Sequence, residues 1–376
     1  MVIFIIVIIY HLVHTFLMNS PFFVLVFTVG YIMYILKQIP EDFMVEEIML
    51  PSVASTLSSS GPFLYFKLTK RNLNTLDAIS RVAMAVGVSV SDIGFAGTKD
   101  RNAVTSQYCS ARGGRKERFL SLHLDGISVE VVGFGTRALS LGDLEGNRFI
   151  LVVRNLEKGE ALTKIHSYIN YFDEQRFSER NHVIGKLLLL GDYVGAARLV
   201  DARVVQEELM RSPTNGIGAI SKMPRKLVRL YIHAYQSLLW NRVVSEMARV
   251  KFGSVIPLKT VCIASESLVL AVNGDFFVDV PLIGFTTPSL VLDPLVHSAV
   301  ERVLASERVT FNHFIFKAIP ELSCEGEMRK VWSEVFDCEL GDVVCDSVNS
   351  EKYMQKVSFR LGKGSYATMA VRSMML

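Results

Sequence analysis

Residues 1–36 contain no Asp, Glu, Lys or Arg, so all 77 charged side chains fall in the remaining 340 residues. A stretch that apolar has two natural homes, a lipid bilayer or the middle of a sheet. The run 2–18 approaches the length of a membrane span, although His11 and His14 interrupt it. It lacks the basic n-region and small-residue cleavage site of a secretory signal. By contrast, Gly30-Tyr31-Ile32-Met33-Tyr34-Ile35-Leu36 alternates like a core strand and leads directly into Lys37. We therefore expect 31–36 to be core and residues 1–28 to be an apolar N-terminal extension. Three origins for that extension stay open: a membrane anchor, an appendage, or a start placed upstream of Met18.

A chain of 376 residues is long enough for two domains of ordinary size. After Lys37, short β-prone runs alternate with helical ones. Residues 63–68 predict a strand that ends before the polar Thr69-Lys70-Arg71-Asn72. Asn74 is placed to cap a helix in which Leu76, Ile79, Val82, Ala83 and Val86 share one face, and Gly87 stops it. Residues 92–96, 105–111, 129–134 and 149–153 predict further strands, the last pair split by turns at Gly142-Asp143 and Gly146-Asn147. From about Asn181 the pattern turns helical: 185–200 is apolar on one side, and Pro224 is placed to start a helix through Glu246. Strand character returns near Val357. This order suggests an α+β domain interrupted by a second domain.

Five cysteines without a CxxC pair indicate neither a disulfide framework nor a zinc site, and reduced thiols fit a nuclear or cytoplasmic protein. The eight histidines show no metal-ligand spacing, so no metal is expected. A net charge of +3 announces no global attraction to nucleic acid. Local charge does more: Arg112, Arg115, Lys116 and Arg118 form one basic cluster, and Lys222, Arg225, Lys226 and Arg229 a second. Such clusters can neutralise phosphates, or can simply be solvated loop and helix faces.

The sharpest chemistry lies in Gly97-Thr98-Lys99-Asp100-Arg101-Asn102-Ala103-Val104-Thr105-Ser106-Gln107. One carboxylate sits between two cations, just after small residues that admit a planar group close to the backbone. A carboxylate so placed can attack carbon or stabilise positive charge without a cofactor. Taken alone, the triplet equally describes a solvated ion pair at a strand end.

This run resembles the signature loop of the TruD family of pseudouridine synthases. Four other segments recur in the family's order. They are Lys37-Gln38-Ile39-Pro40-Glu41-Asp42-Phe43-Met44-Val45-Glu46-Glu47-Ile48, Gly146-Asn147-Arg148-Phe149, Asn170-Tyr171-Phe172-Asp173-Glu174-Gln175-Arg176-Phe177, and Gly362-Lys363-Gly364-Ser365-Tyr366-Ala367-Thr368. The last is similar to the family's C-terminal strand. Ala234-Tyr235-Gln236-Ser237 leans towards the archaeal and eukaryotic branch of tRNA pseudouridine-13 synthases.

The resemblance implies a pseudouridine synthase catalytic domain with a mixed or antiparallel sheet, over 29–169 and 346–376, interrupted by an inserted α+β TRUD domain over 170–345. It implies isomerisation of uridine to pseudouridine in RNA, tRNA first and mRNA or snRNA as further substrates, by a monomer using no cofactor. Asp100 takes the catalytic role, and the route through a covalent sugar adduct or a glycal stays open. Lys37 would steady Asp100 or a phosphate, Lys99 and Arg101 would tune Asp100 and contact phosphate, and Asn147 would hold a loop or the uracil edge. Phe149 would stack on the base, Arg176 would bind RNA or anchor the domain junction, and Tyr366 would pack beneath the site from the last strand. Asp173 and Ser178 depart from glycines usual in the family; a positive φ at 173 would be tolerated by aspartate at some cost. The competing reading is a noncatalytic RNA-binding or RNA-folding protein on the same fold.

Overall fold

The computed structural model describes residues 25–29, 32–252, 259–274, 279–291 and 293–376. Eight strands come first: β1 (Leu25–Val29), β2 (Ile32–Leu36), β3 (Phe43–Met49), β4 (Phe63–Arg71), β5 (Ile93–Phe95), β6 (Val104–Arg112), β7 (Ile127–Gly135) and β8 (Leu144–Leu156). Helices α1 (Pro51–Ala54), α2 (Thr75–Val86) and α3 (Lys116–Leu120) lie among them. A helical block follows, opening with β9 (Ser167–Ile169), α4 (Glu174–Phe177), α5 (Asn181–Leu189), α6 (Tyr193–Leu199), α7 (Arg203–Arg211), α8 (Gly216–Ser221) and α9 (Arg225–Phe252). It continues through β10 (Thr260–Ile263), β11 (Glu266–Val269), β12 (Asp279–Leu282), α10 (Thr287–Leu290), α11 (Pro294–Glu307), β13 (Glu327–Lys330) and β14 (Trp332–Glu334). The chain closes on β15 (Phe336–Cys345), β16 (Tyr353–Gly362) and α12 (Ala367–Met374).

The chain divides into two compact units. One comprises Met1–His166, Glu334–Ala367 and Met374–Leu376; the other comprises Ser167–Ser333 and Thr368–Ser373. The first unit holds a 10-stranded sheet whose main path is β1-β2-β8-β3-β6-β4-β7. It is mixed: β3 and β6 run parallel, whereas β8 is antiparallel to both β3 and β16. Thr75, Ala78, Ile79, Val82, Ala83 and Val86 recur at helical spacing and form the buried face of α2. That face packs on Leu64, Phe66 and Leu68 of β4 and on Cys109 and Ala111 of β6. Each large apolar side chain so buried contributes about 1.5–3 kcal/mol. Gly87 ends α2 at φ 74°, a left-handed conformation that suits glycine. In the second unit the long α9 packs against α5 and α11. Its Trp240 is fully buried and donates its indole N–H to the Val280 carbonyl at 3.0 Å.

The fold is α+β, as expected, and several local readings need correction. β4 runs on to Arg71 rather than stopping at 68, because Lys70 continues the inward alternation of Leu64, Phe66 and Leu68. Gly146-Asn147 is no turn: β8 passes straight through it, with Gly146 opposite Gly362. A Cβ on Gly146 would stand 2.1 Å from the Leu361 carbonyl oxygen, so the glycine permits close strand approach. The expected helix over 185–200 is two helices, α5 and α6, divided at Gly191 with φ 79°. The last strand ends at Gly362, and 367–374 is helical. Asn74 sits at the N-cap of α2, but its amide donates to Asp77 rather than capping, and Leu76 points outward.

The domain limits shift as well. β15 pairs with β16 in the first unit, which moves the end of the inserted segment from 345 to Ser333. β1 pairs with β2 from Leu25, so strand structure begins inside the span 1–28. The remaining extension, 1–24, and the anchor reading attached to it lie outside the described residues.

Candidate active site

Asp100 lies in the loop between β5 and β6, and that loop is pinned from below by side chains of four elements. Gln107 of β6, fully buried, donates its amide to the Gly97 carbonyl at 2.9 Å. Thr75, the first residue of α2, accepts the Lys99 backbone N–H at 2.9 Å. Lys70 of β4 donates to the Asp100 carbonyl at 2.6 Å. Glu47 of β3 takes the Lys99 ammonium at 2.5 Å on one oxygen and the Tyr108 backbone N–H at 3.0 Å on the other. A loop held by its backbone at Gly97, Lys99 and Asp100 keeps its carboxylate in place without reorganisation during reaction. Above Gly97 the space is open: a Cβ there would meet nothing nearer than the Lys99 ammonium at 4.0 Å.

The carboxylate itself faces Lys37. The ammonium stands 2.5 Å from the Asp100 carboxylate; the lysine side chain is 6% exposed and the aspartate 31%. The same ammonium lies 4.0 Å above the Phe43 ring, a cation–π contact that holds it from the second side. Lys37 adopts φ 59°, which costs a non-glycine residue about 1–2 kcal/mol and persists only where the surroundings impose it. They do so here through the neighbouring motif residues. The Gln38 and Asn349 amides exchange two hydrogen bonds, at 3.0 and 2.8 Å. Asp42 accepts the Ile39 N–H at 3.0 Å and is itself clamped by the buried Arg154 guanidinium, which also reaches Asp346.

Strand register brings the remaining residues to the same sheet face. Asn147 pairs with Glu47 across β8 and β3 and with Leu361 across β8 and β16. Phe149 pairs with Val45 on one side and Phe359 on the other. The Phe149 ring meets Phe43 edge-on at 6.1 Å and lies 5.6 Å from Phe359. The Asn147 side-chain oxygen is buried, with no hydrogen-bond partner among the described residues. The structure thus joins Lys37, Asp100, Asn147 and Phe149 through one chain of contacts.

Lys99, Tyr366 and Asp173 stand differently from the sequence-based reading. Lys99 is turned into the protein against Glu47, its side chain 8% exposed, so it braces the loop rather than reaching for phosphate. Arg101 is exposed beside Asp100. Tyr366 stands in the loop between β16 and α12, not on a strand. Arg176 belongs to α4 in the second unit, where its guanidinium donates to Ser237 at 3.1 Å and lies 5.5 Å from the Phe172 ring. Asp173 has φ −92°, an extended N-cap that accepts the Glu174 N–H and the Arg372 guanidinium. The strained residue is instead Ser178, at φ 45° and ψ −146°. Parts of the two basic clusters are structural: Arg118 donates to the Val86 carbonyl at the end of α2, and Arg229 donates to the Glu321 carbonyl.

Sequence reasoning missed Lys70, Glu47, Phe43 and Phe359. Lys70 carried a signal, its even spacing from Leu64, Phe66 and Leu68; Glu47 and Phe43 stood in a quoted motif without an assigned partner. Burial lowers the Lys70 ammonium pKa to about 8, an effect the Asp100 carboxylate opposes and Lys99 reinforces.

The family model of tRNA pseudouridine synthase D (TruD) matches residues 24–208 and 198–374. The chain belongs to the TruD family. The TruD protein of Leptospira interrogans is 31% identical over 409 residues, covering 92% of this chain and 97% of its own. A tRNA pseudouridine synthase D homologue of Thermococcus sibiricus is 30% identical over 412 residues, covering 90% and 94%. Among solved structures, the TruD protein of Methanosarcina mazei superposes with a TM-score of 0.67 at 24% identity, over 90% of this chain and 93% of that one, a likeness of fold. These matches agree with the five ordered motifs, and this TruD-family chain is a pseudouridine synthase, an isomerase.

Proposed function

We propose that this TruD-family enzyme isomerises uridine 13 of tRNA to pseudouridine, with Asp100 as the reacting carboxylate. The observation that carries the reading is the Asp100 carboxylate held 2.5 Å from the Lys37 ammonium on a loop whose backbone is fixed by buried side chains. The reaction breaks the N1–C1′ bond, turns the uracil, and joins C5 to C1′; the C5 hydrogen is lost and N1 regains a proton, so no atoms are added. A carboxylate can serve by adding to C1′ or by taking the 2′ proton to form a glycal, and its placement suits either. Lys37 orients the carboxylate, the Phe149 ring offers a stacking surface, and the Asn147 amide offers a hydrogen-bonding edge for the detached base.

The test is site-resolved pseudouridine mapping of unmodified tRNA incubated with the purified full-length chain and with Asp100→Ala. Product at position 13 with the parent and none with the variant supports the proposal. Product at a different uridine moves the substrate assignment to that site, with mRNA and snRNA transcripts tested next. Salt-sensitive RNA binding without product from either protein favours the RNA-binding reading. Reduced cysteines support a nuclear or cytoplasmic site of action, which imaging of the tagged full chain checks.

A further inference from the structure

Lys70 is fully buried, and among the described residues its ammonium has one hydrogen-bond acceptor, the backbone carbonyl of Asp100 at 2.6 Å. As a structural element that arrangement is poor. A buried ammonium gives up its hydration, and a single carbonyl replaces only part of it. An unbranched apolar side chain would fill the same space at the end of β4 without that loss. What an apolar side chain cannot do is hold the main chain of the residue that carries the candidate carboxylate. Resting on the assignment of Asp100 as the reacting group, we propose that Lys70 is a positioning residue: the proton on its Nζ fixes the Asp100 backbone, and loss of that proton sets the upper pH limit of turnover.

The charges facing Lys70 are few. The Asp100 carboxylate favours its proton and Lys99 on the same loop disfavours it. Its register neighbours, Thr105 on β6 and Ile127 on β7, carry no charge, and neither does Thr75 at the start of α2. Lys37 meets the carboxylate of Asp100, the residue whose carbonyl Lys70 holds. With burial lowering its pKa to about 8, Lys70 is mostly charged at neutrality and mostly neutral at pH 9. The amine then donates without charge assistance, and such bonds are weaker. A nucleophile displaced by as little as an ångström loses about 100-fold in rate.

The experiment measures turnover of tRNA by the full-length parent, Lys70→Met and Lys70→Arg from pH 6.5 to 9.5, with melting temperatures at pH 7. The parent rate is expected to fall as pH rises through about 8. Lys70→Met should lose about 100-fold in kcat at pH 7, keep KM within threefold, lose the descending limb, and melt no lower than a few degrees below the parent. Lys70→Arg, which keeps its charge throughout, should move the limb upward. A parent rate flat through pH 9.5, or a limb that survives unchanged in Lys70→Met, overturns the proposal; so does Lys70→Met turnover within threefold of the parent. Should Lys70→Met fail to fold, the Lys70→Arg profile decides, an unmoved limb counting against. Retained activity in Asp100→Ala would instead sink the assignment on which the proposal rests.

Discussion

Arg154 offers the most demanding test of how the Lys37 segment is held. Its guanidinium meets both Asp42 oxygens at 2.8–2.9 Å and Asp346 at 2.7 Å. The side chains are 5%, 1% and 0% exposed, so water contributes little to any of them. Arg154→Met keeps a long, unbranched side chain and strands two buried carboxylates. Removing one partner of a buried ion pair costs about 3–5 kcal/mol. For the first unit, of about 200 residues, each kcal/mol moves the melting temperature by about 2–4 °C. The expected drop is therefore roughly 6–20 °C at pH 7, read by differential scanning calorimetry. The triple variant Arg154→Met, Asp42→Asn, Asp346→Asn should recover most of it, because the penalty belongs to the uncompensated charges. A single-variant drop under 2 °C, or a triple variant no better than the single, would refute the reasoning.

Three further outcomes follow from individual residues. Burial works against the Asp346 carboxylate, but hydrogen bonds from the Asn349 side chain and the Val348, Asn155 and Asn349 backbones outweigh it and bring its pKa down to about 2. Its folded pKa being below the unfolded value, the stabilisation is full above pH 4 and disappears as pH falls towards 2, a loss of about 2 kcal/mol measurable as a falling urea midpoint; Asp346→Asn should flatten that dependence. Ser178→Gly relieves a left-handed backbone and should stabilise by about 1 kcal/mol net of glycine's entropy, raising the melting temperature; no rise would mean the strain is absent in solution. Gly146→Ala forces a methyl to within 2.1 Å of the Leu361 carbonyl oxygen, so it should separate β8 from β16 and destabilise by about 2 kcal/mol or more, checked by chemical denaturation.

The sequence revealed the α2 face, the signature loop and the α+β class because each depends on local periodicity or on contiguous motif residues. It hid what depends on pairing between distant strands. Gly146-Asn147 looks like a turn until β16 is known to run 216 residues later, with Gly362 opposite Gly146. Lys70 looks like a strand terminator because charge suggests solvent; only the loop above it supplies the carbonyl that explains its burial. Lys99 looks like a phosphate contact because its neighbour is a catalytic candidate, yet alternate residues of the loop point opposite ways and its ammonium goes to Glu47. Of the two departures from family glycines, Ser178 and not Asp173 carries the positive φ, and residue identity alone does not say which of the two does.

The charges gathered at the loop explain why it needs so many braces. Lys37, Lys70 and Lys99 surround Asp100 and Glu47, so with Lys70 protonated the group keeps one positive charge in excess. Two of those cations are committed, Lys99 to Glu47 and Lys70 to a neutral carbonyl, whereas Lys37 is paired directly with the Asp100 carboxylate. Lys37→Met should then cost the carboxylate its orientation while leaving the loop backbone fixed by Gln107, Thr75 and Lys70. The expected signature is a fall of about 10- to 100-fold in kcat with little change in KM. A variant whose KM rises while kcat holds would show that Lys37 binds RNA instead, and would shift the role of steadying Asp100 to the backbone braces.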